Sequence, residues 1–561
     1  MSTLTLSQKA FRTLWKTGAA ALISLVLISG ALAWVSSDFQ GLTGWLSFGA
    51  VVLIGMGILT GGWFALRASE PEALPSQLAQ LLIFAALLRL GMGVFWYIAL
   101  PDYGHGSPLE LAGYIQPDAY ARDTAAWKLA ESDRPLTAAF GGYPKADQYG
   151  GLLFVSALIY RYLGGESHLP LMMVVIASSF SGLSVLFAWG LARRAWGEKA
   201  AVLTAWGLTL YPEAVHLGSS QMREAFMITL TAASFYGLIR YSQNRSLLST
   251  AWILLPFLLF IPISPPIAVL LLGGLLLAAA GMGLKLPQSQ QKKRLFWVLL
   301  VLIVLVVIAG AALALARFAP EGVSNPILYW IVKSAQYQAH RSEVASGWVQ
   351  KYFRRMPEEL HIPFLVGYGV LRPLLPAAII DLSESPLWYG ITLWRSLGWT
   401  ILLAFLVYAP LRVLTRGDAD RFTRALILVV WVMILVASFR SGGDPDDNPR
   451  YRATFSSLQI GLAAWVWVAQ QKNRDIWLRR ALVSMGLVMA WLIPWYLRRY
   501  TAFDWPVIDL FKTLGLGAAS ALLYFIWDWA RTEEKPDPPG TEANSGAGTE
   551  DLPADAVESG A

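Results

Sequence analysis

The sequence predicts an all-α polytopic integral membrane protein with about 14 transmembrane helices. Of its 561 residues, 56% are hydrophobic and only 14% charged, where a soluble chain carries about a quarter charged residues. Mean hydropathy is +0.49. The apolar residues fall in blocks of about twenty, the length at which a helix crosses a bilayer core. No alternating apolar pattern suggests a membrane β-barrel.

Cysteine is absent, which excludes disulfides, thiolate metal sites and thiol catalysis. The net charge of +7 does not call for nucleic acid, because the basic residues concentrate in short loops beside apolar blocks, where they set orientation. Twenty-five tryptophans and twenty-one tyrosines suit interfacial belts.

Lys9, Arg12 and Lys16 precede the first apolar block, read as span 1 (17–35) with the N-terminus cytoplasmic. "ALA" at 31–33 also has the small-x-small pattern of a signal-peptide cleavage site; either outcome leaves the later topology unchanged. Span 2 (45–66) and span 3 (77–99) follow, and residues 100–168 form a long outer loop. Within it, 149–164 is apolar but short and is read as an interfacial helix. Span 4 (169–192) returns to Arg193, Arg194 and Lys199. Spans 5 (200–216) and 6 (225–240) precede a Pro-marked hairpin, spans 7 and 8, around "IPISPP" at 261–266. That hairpin ends inside at Lys285 and "QKKR" (291–294).

Span 9 (295–316) leads to a second outer region, 317–386. Spans 10 (387–409) and 11 (424–440) flank a loop with Arg412 and Arg416. A short outer loop, 440–453, precedes spans 12 (453–470), 13 (481–497) and 14 (507–530). The basic pair in "LRRY" (497–500) falls outside, where snorkelling to the interface or contact with a lipid phosphate accommodates it. The organisation expected is a two-span extension (1–76), a transmembrane domain (77–531) and an acidic cytoplasmic tail (532–561). The tail has too few apolar residues to fold.

Polar residues gather on the outer side in four clusters. They are "YIQPDAYARD" (114–123) with Asp118, Arg122 and Asp123; "YPKADQYGG" (143–151) with Asp147; "HLGSSQMREAF" (216–226) with Arg223 and Glu224; and "DPDDNPRYRATF" (444–455) with Arg450 and Arg452. Each also has a plain structural reading. The two loop aspartates could be solvated, Asp147 could cap the helix that follows, and Arg223–Glu224 could be an interfacial ion pair. Arg450 and Arg452 lie against the orientation rule, and guanidinium forks suit phosphate oxygens. Arg89 lies inside span 3, at a cost of about 3 kcal/mol on insertion scales. It must face the bundle and find a partner there, or reach a lipid phosphate. Asp444, Asp446 and Asp447 could hold a divalent cation through oxygens, but a Pro/Asp/Asn turn accounts for them. No cofactor is expected.

Several stretches together resemble the GT-C membrane glycosyltransferases, among them the family-39 relatives of protein O-mannosyltransferases and the lipid A aminoarabinose transferases. The similar stretches are the "DAY" loop, "YPKADQYGGLLFVSALIYRYLGG", the span ending "LARRAWGEK", and "PRYRATFSSLQIGLAAW". They cover about 110–240 well and 440–465 moderately. "YPK" stands where the family has "YPP", and two extra spans precede the first large loop.

The resemblance implies a GT-C-like bundle and a transferase that moves a sugar from a polyprenyl-phosphate donor. The acceptor would be a lipid, glycan or protein on the extracytoplasmic face of the cell membrane. It implies Asp118 as general base, with Asp123 second to it, and Arg450 and Arg452 at the donor phosphate. Arg223 and Glu224 would stand at the span entry; Arg89 is a further phosphate-binding candidate on its depth in span 3 alone, a buried ion pair or snorkelling being the alternative. The competing readings are a polysaccharide polymerase or ligase of another fold, a secondary transporter and a scaffold. A transporter would carry inverted repeats and midplane polar residues, whereas here polar residues collect at the outer rim.

Overall fold

The computed structural model describes residues 2–36, 42–143, 145–283, 329, 355–357, 360–380, 383–417, 419–442, 444, 446–473, 476–507 and 509–533. The predicted span 9, the "QKKR" run, most of the second outer region and nearly all of the tail lie outside them. Among the described residues the regular structure is helical. Eight helices among the described residues are long and apolar enough to cross a membrane. The remaining described spans of the predicted fourteen correspond to shorter or less apolar helices.

The chain divides into two units, 1–478 and 479–561. In the first, α1 (Ser2–Val35), α2 (Leu42–Ser69) and α3 (Ser76–Tyr103) match spans 1–3. The long loop that follows is itself helical. It holds α4 (Pro108–Leu111), α5 (Pro117–Glu131), a 3-10 turn at Leu136–Phe140 and α6 (Gly151–Leu163). The last falls on the apolar run at 149–164 and, at 13 residues, is too short to span.

The centre is α7 (Leu171–Trp196), buried over 94% of its apolar window and packed against α2, α3, α8 (Glu198–Leu210) and α10 (Arg223–Gln243). Small residues make this possible, since helices in lipid associate by close van der Waals approach. A Cβ on Gly55 would stand 2.6 Å from Ser179 Oγ, and one on Gly182 would stand 3.2 Å from Ala86 Cβ.

The predicted span 5 is broken. The helix α8 stops at Leu210, and α9 (Pro212–Gly218) starts with proline at its first position, where the missing N–H costs nothing. That proline leaves Leu208 O without its usual donor four residues on. Arg89 Nη2 supplies one at 3.1 Å. Arg89 is fully buried and also donates to Ser181 Oγ and Ala85 O, so its partners within span 3 are neutral oxygens of the bundle.

The predicted hairpin is α11 (Leu247–Phe260) and α12 (Pro265–Gly281). Beyond it come α13 (His361–Leu371), α14 (Leu375–Ile380), α15 (Pro386–Arg416), α16 (Arg421–Ser441), α17 (Asp447–Ala453) and α18 (Ser456–Asn473). At the end of α10 away from Arg223, Glu70 accepts from Arg194 Nε (2.8 Å) and Tyr236 Oη (2.6 Å). Arg240 donates to Ser69 O there. The basic residues read as orientation signals thus close one end of this unit.

The second unit is a hairpin of α19 (Ile476–Tyr500) and α20 (Leu510–Glu533). Arg479 and Arg480 both bind Asp528, at 2.6 and 2.7 Å, and Trp491 Nε1 donates to Ser520 Oγ at 2.9 Å. Arg498 of "LRRY" pairs with Asp504.

Candidate active site

Three helix starts, far apart in sequence, meet at the other end of α10. Pro117 opens α5, which puts Asp118 in its first turn, where a carboxylate suits the positive end of the helix dipole. Arg122 follows at i+4 and shares that face. Arg223 and Glu224 open α10 after the extended Met222. The third start is α17, preceded by a turn in which Asp444 Oδ1 accepts from the N–H groups of Asp446 and Asp447. That is the acidic turn expected of "DPDDNP".

Arg450, on α17, ties the three together. Its Nη2 donates to Asp118 Oδ2 (2.9 Å) and Glu224 Oε1 (3.3 Å), and its Nη1 to Asp447 Oδ1 (3.2 Å). The side chains of Arg450 and Glu224 are 8% and 3% exposed, against 47% for Asp118. Burial opposes the charge on Arg450, but Glu224, Asp118 and Asp447 outweigh it and hold the guanidinium more firmly protonated than usual. Burial likewise pushes the Asp118 carboxyl up. Arg450, with Arg122 and Arg223 behind it, overcomes that and holds it below the ordinary aspartate range.

Arg122 is buried. It donates to Gln221 O (2.8 Å) and lies 3.4 Å from Asp147. Asp147 in turn accepts from the N–H groups of Tyr149 and Leu153, at 3.2 Å each, and so caps the start of α6. Arg223 lies over the Tyr149 ring at 5.2 Å. Arg440, at the end of α16, lies over Tyr451 at 5.8 Å.

No family profile and no curated relative match this chain. Solved structures of the Archaeoglobus fulgidus oligosaccharyltransferase are similar at 15% identity. They include AglB in complex with an inhibitory peptide and a dolichol-phosphate (82% of this chain and 58% of that one, TM-score 0.38) and the apo form (82% and 58%, 0.37). A third is the complex with Zn and sulfate (82% and 56%, 0.37). This chain spans 58% or less of the length of those proteins.

Of the residues singled out in the sequence, Asp118, Arg223, Glu224 and Arg450 come together. Asp123 is committed elsewhere. It is fully buried and accepts from Tyr114 Oη and Tyr160 Oη at 2.5 Å each, with His168 Nε2 at 2.7 Å. Arg452 is also buried, donating to Arg372 O (2.9 Å) with its guanidinium 3.4 Å from the Trp399 ring centroid. Burial lowers its pKa to about 10. Arg89 serves the α8–α9 break.

Sequence reasoning passed over the bidentate pair Glu213–Arg395 (2.8 and 3.1 Å), to which Asp446 adds a contact at 3.2 Å. Its signal was two opposite charges inside predicted spans 5 and 10. His168 carried no signal beyond its type. Among the described residues no group of three His, Asp or Glu is placed to hold a metal ion.

Proposed function

We propose that this chain is a GT-C-type glycosyltransferase of the cell membrane, with both termini cytoplasmic. It takes a sugar from a polyprenyl-phosphate donor and passes it to a hydroxyl acceptor on a lipid, glycan or protein at the extracytoplasmic face. The observation that carries this reading is a half-exposed carboxylate, Asp118, held against a buried arginine whose remaining partners are also acidic. A general base and a phosphate-binding cation then stand side by side. The sequence resemblance at 110–240 and 440–465 supports the same assignment.

In this mechanism Asp118 takes the proton of the acceptor hydroxyl as its oxygen attacks the anomeric carbon. The anomeric carbon–oxygen bond to phosphate breaks, and the bonding pair leaves with the phosphate. Positive charge fixed beforehand at Arg450 and Arg223 meets the charge that develops there. Glu224 holds Arg450 in place, a positioning role.

The test is Asp118→Asn in membranes supplied with a lipid-linked sugar donor. A base of this kind contributes about 10²- to 10⁴-fold, so transfer should fall by that range at normal protein level. An unchanged glycan or lipid profile would remove the mechanism. Substrate uptake by proteoliposomes without sugar transfer would favour a transporter.

A further inference from the structure

We propose that the Asp118 carboxylate occupies the place of the substrate's phosphate, closing an anion site built by Arg450 and Arg122 that the phosphate enters by displacing it. This rests on the function proposed above and adds how the site is occupied before donor arrives.

The first ground is the asymmetry of the ion pair. The Asp118 side chain is 47% exposed while that of Arg450 is 8% exposed, so the carboxylate is the removable partner. Arg450 keeps Glu224 and Asp447 when Asp118 leaves. No buried charge is then stranded, the outcome that makes breaking most buried pairs costly.

The second ground is a surplus of donors. Arg122 Nη2 and Arg450 Nε are buried and reach no hydrogen-bond acceptor among the described residues, and a buried donor left without an acceptor is destabilising. A carboxylate on Arg450 Nη2 leaves these donors unused. A phosphate has more acceptor oxygens and can engage a guanidinium in two parallel bonds.

The third is charge. Arg122, Arg223 and Arg450 stand against Asp118, Asp147, Glu224 and Asp447. A phosphodiester carries one negative charge and replaces the one that Asp118 withdraws. A diphosphate would add more negative charge beside Glu224 Oε2, an acceptor without a donor. The site therefore suits a single phosphate. The exchange also frees Asp118 from the guanidinium that weakens it as a base, so the base becomes competent when donor is in place.

The experiment measures binding to the purified full chain in detergent at fixed ionic strength and about pH 5, below the second phosphate pKa of about 6, so that each phosphate carries about one charge; farnesyl phosphate, inorganic phosphate and farnesol are separate probes. A half-exposed ion pair is worth up to about 1 kcal/mol, so Asp118→Asn should bind farnesyl phosphate about two- to fivefold more tightly than wild type. Asp118→Ala should do the same and guards against a flaw peculiar to one variant, with both checked as monodisperse by size exclusion. Arg122→Lys should weaken binding.

Asp447→Asn removes the same charge from Arg450 without vacating the phosphate's place and should give a smaller gain. Equal tightening by Asp447→Asn, or no tightening by either Asp118 variant, overturns the exchange. A gain with inorganic phosphate as well assigns recognition to the phosphate alone, and a gain only with farnesyl phosphate assigns it to the lipid headgroup. A gain that farnesol shares overturns the proposal. Sugar transfer by wild type without tightening in the variants rejects the exchange and leaves the function. Tightening without transfer by wild type rejects the function and leaves the anion site.

Discussion

Asp118 and Asp123 lie five positions apart on α5, which turns them to different faces, and their surroundings diverge accordingly. Asp118 is open to solvent on one side and to arginine on the other. Asp123 is sealed among two tyrosines and a histidine. Replacing Asp123 by Asn puts an amide where two short phenolic bonds need an acceptor, a loss of about 1.5–3 kcal/mol for hydrogen bonds to a charged group. Asp123→Asn should therefore lower the thermal unfolding temperature of the purified protein, while Asp118→Asn leaves it nearly unchanged. A larger drop for Asp118→Asn would contradict the assignment.

In the sequence these two aspartates were almost equivalent. What separated them was family resemblance, because no local rule says which carboxylate meets an arginine 332 positions later. Arg450 itself was more legible, since a basic pair on the face where orientation disfavours it asks for a reason.

At the scale of elements, the apolar blocks were enough to place most helices, and the short apolar run at 149–164 announced α6 by its length. The helical content of 100–168 was hidden because α5 is polar on average and draws its order from packing. One signal was present and unused. Ser107-Pro108-Leu109-Glu110 has the spacing of a capping box with proline at the first position.

In the structure Glu110 Oε2 accepts from the N–H groups of His105 and Ser107 and from Ser107 Oγ, and Oε1 accepts from Trp388 Nε1 at 2.7 Å. It pins the loop after α3 to the start of α15. Burial raises its pKa, but these bonds prevail and hold it at about 2. A carboxyl depressed on folding stabilises fully above its unfolded value, about 4.3, and loses that contribution as pH falls towards 2. Glu110→Gln should cost about 1.5–3 kcal/mol near neutrality, the range for hydrogen bonds to a charged group. The difference from wild type should shrink in thermal melts taken between pH 4.3 and 2. A pH-independent difference would mean that the bonds do not depend on the charge.

For the whole molecule, the proposed sidedness rests on loop charge, and it can be tested cleanly because the chain has no cysteine of its own. Asp133, just past α5, and Asn244, just past α10, are both exposed, and the proposed topology puts them on opposite sides of the membrane. In intact cells, Asp133→Cys should react with a membrane-impermeant maleimide and Asn244→Cys should not until the membrane is opened. The reverse pattern would invert the proposed topology. The sequence could not show that span 5 is two helices, although Pro212 was visible, because a proline within an apolar block can kink a helix as well as break it.

That break has a genetic consequence. Arg89 and Pro212 are 123 positions apart, yet one supplies the donor that the other withholds from Leu208 O. Loss of Pro212 should therefore partly suppress loss of Arg89. Arg89→Leu alone strands the carbonyl, whereas Arg89→Leu with Pro212→Ala returns a backbone N–H to it. The pair should depart from additivity by about 0.5–3 kcal/mol in unfolding free energy. A selection for second-site revertants of Arg89→Leu should recover changes at Pro212, and a strictly additive double variant would dissolve the link.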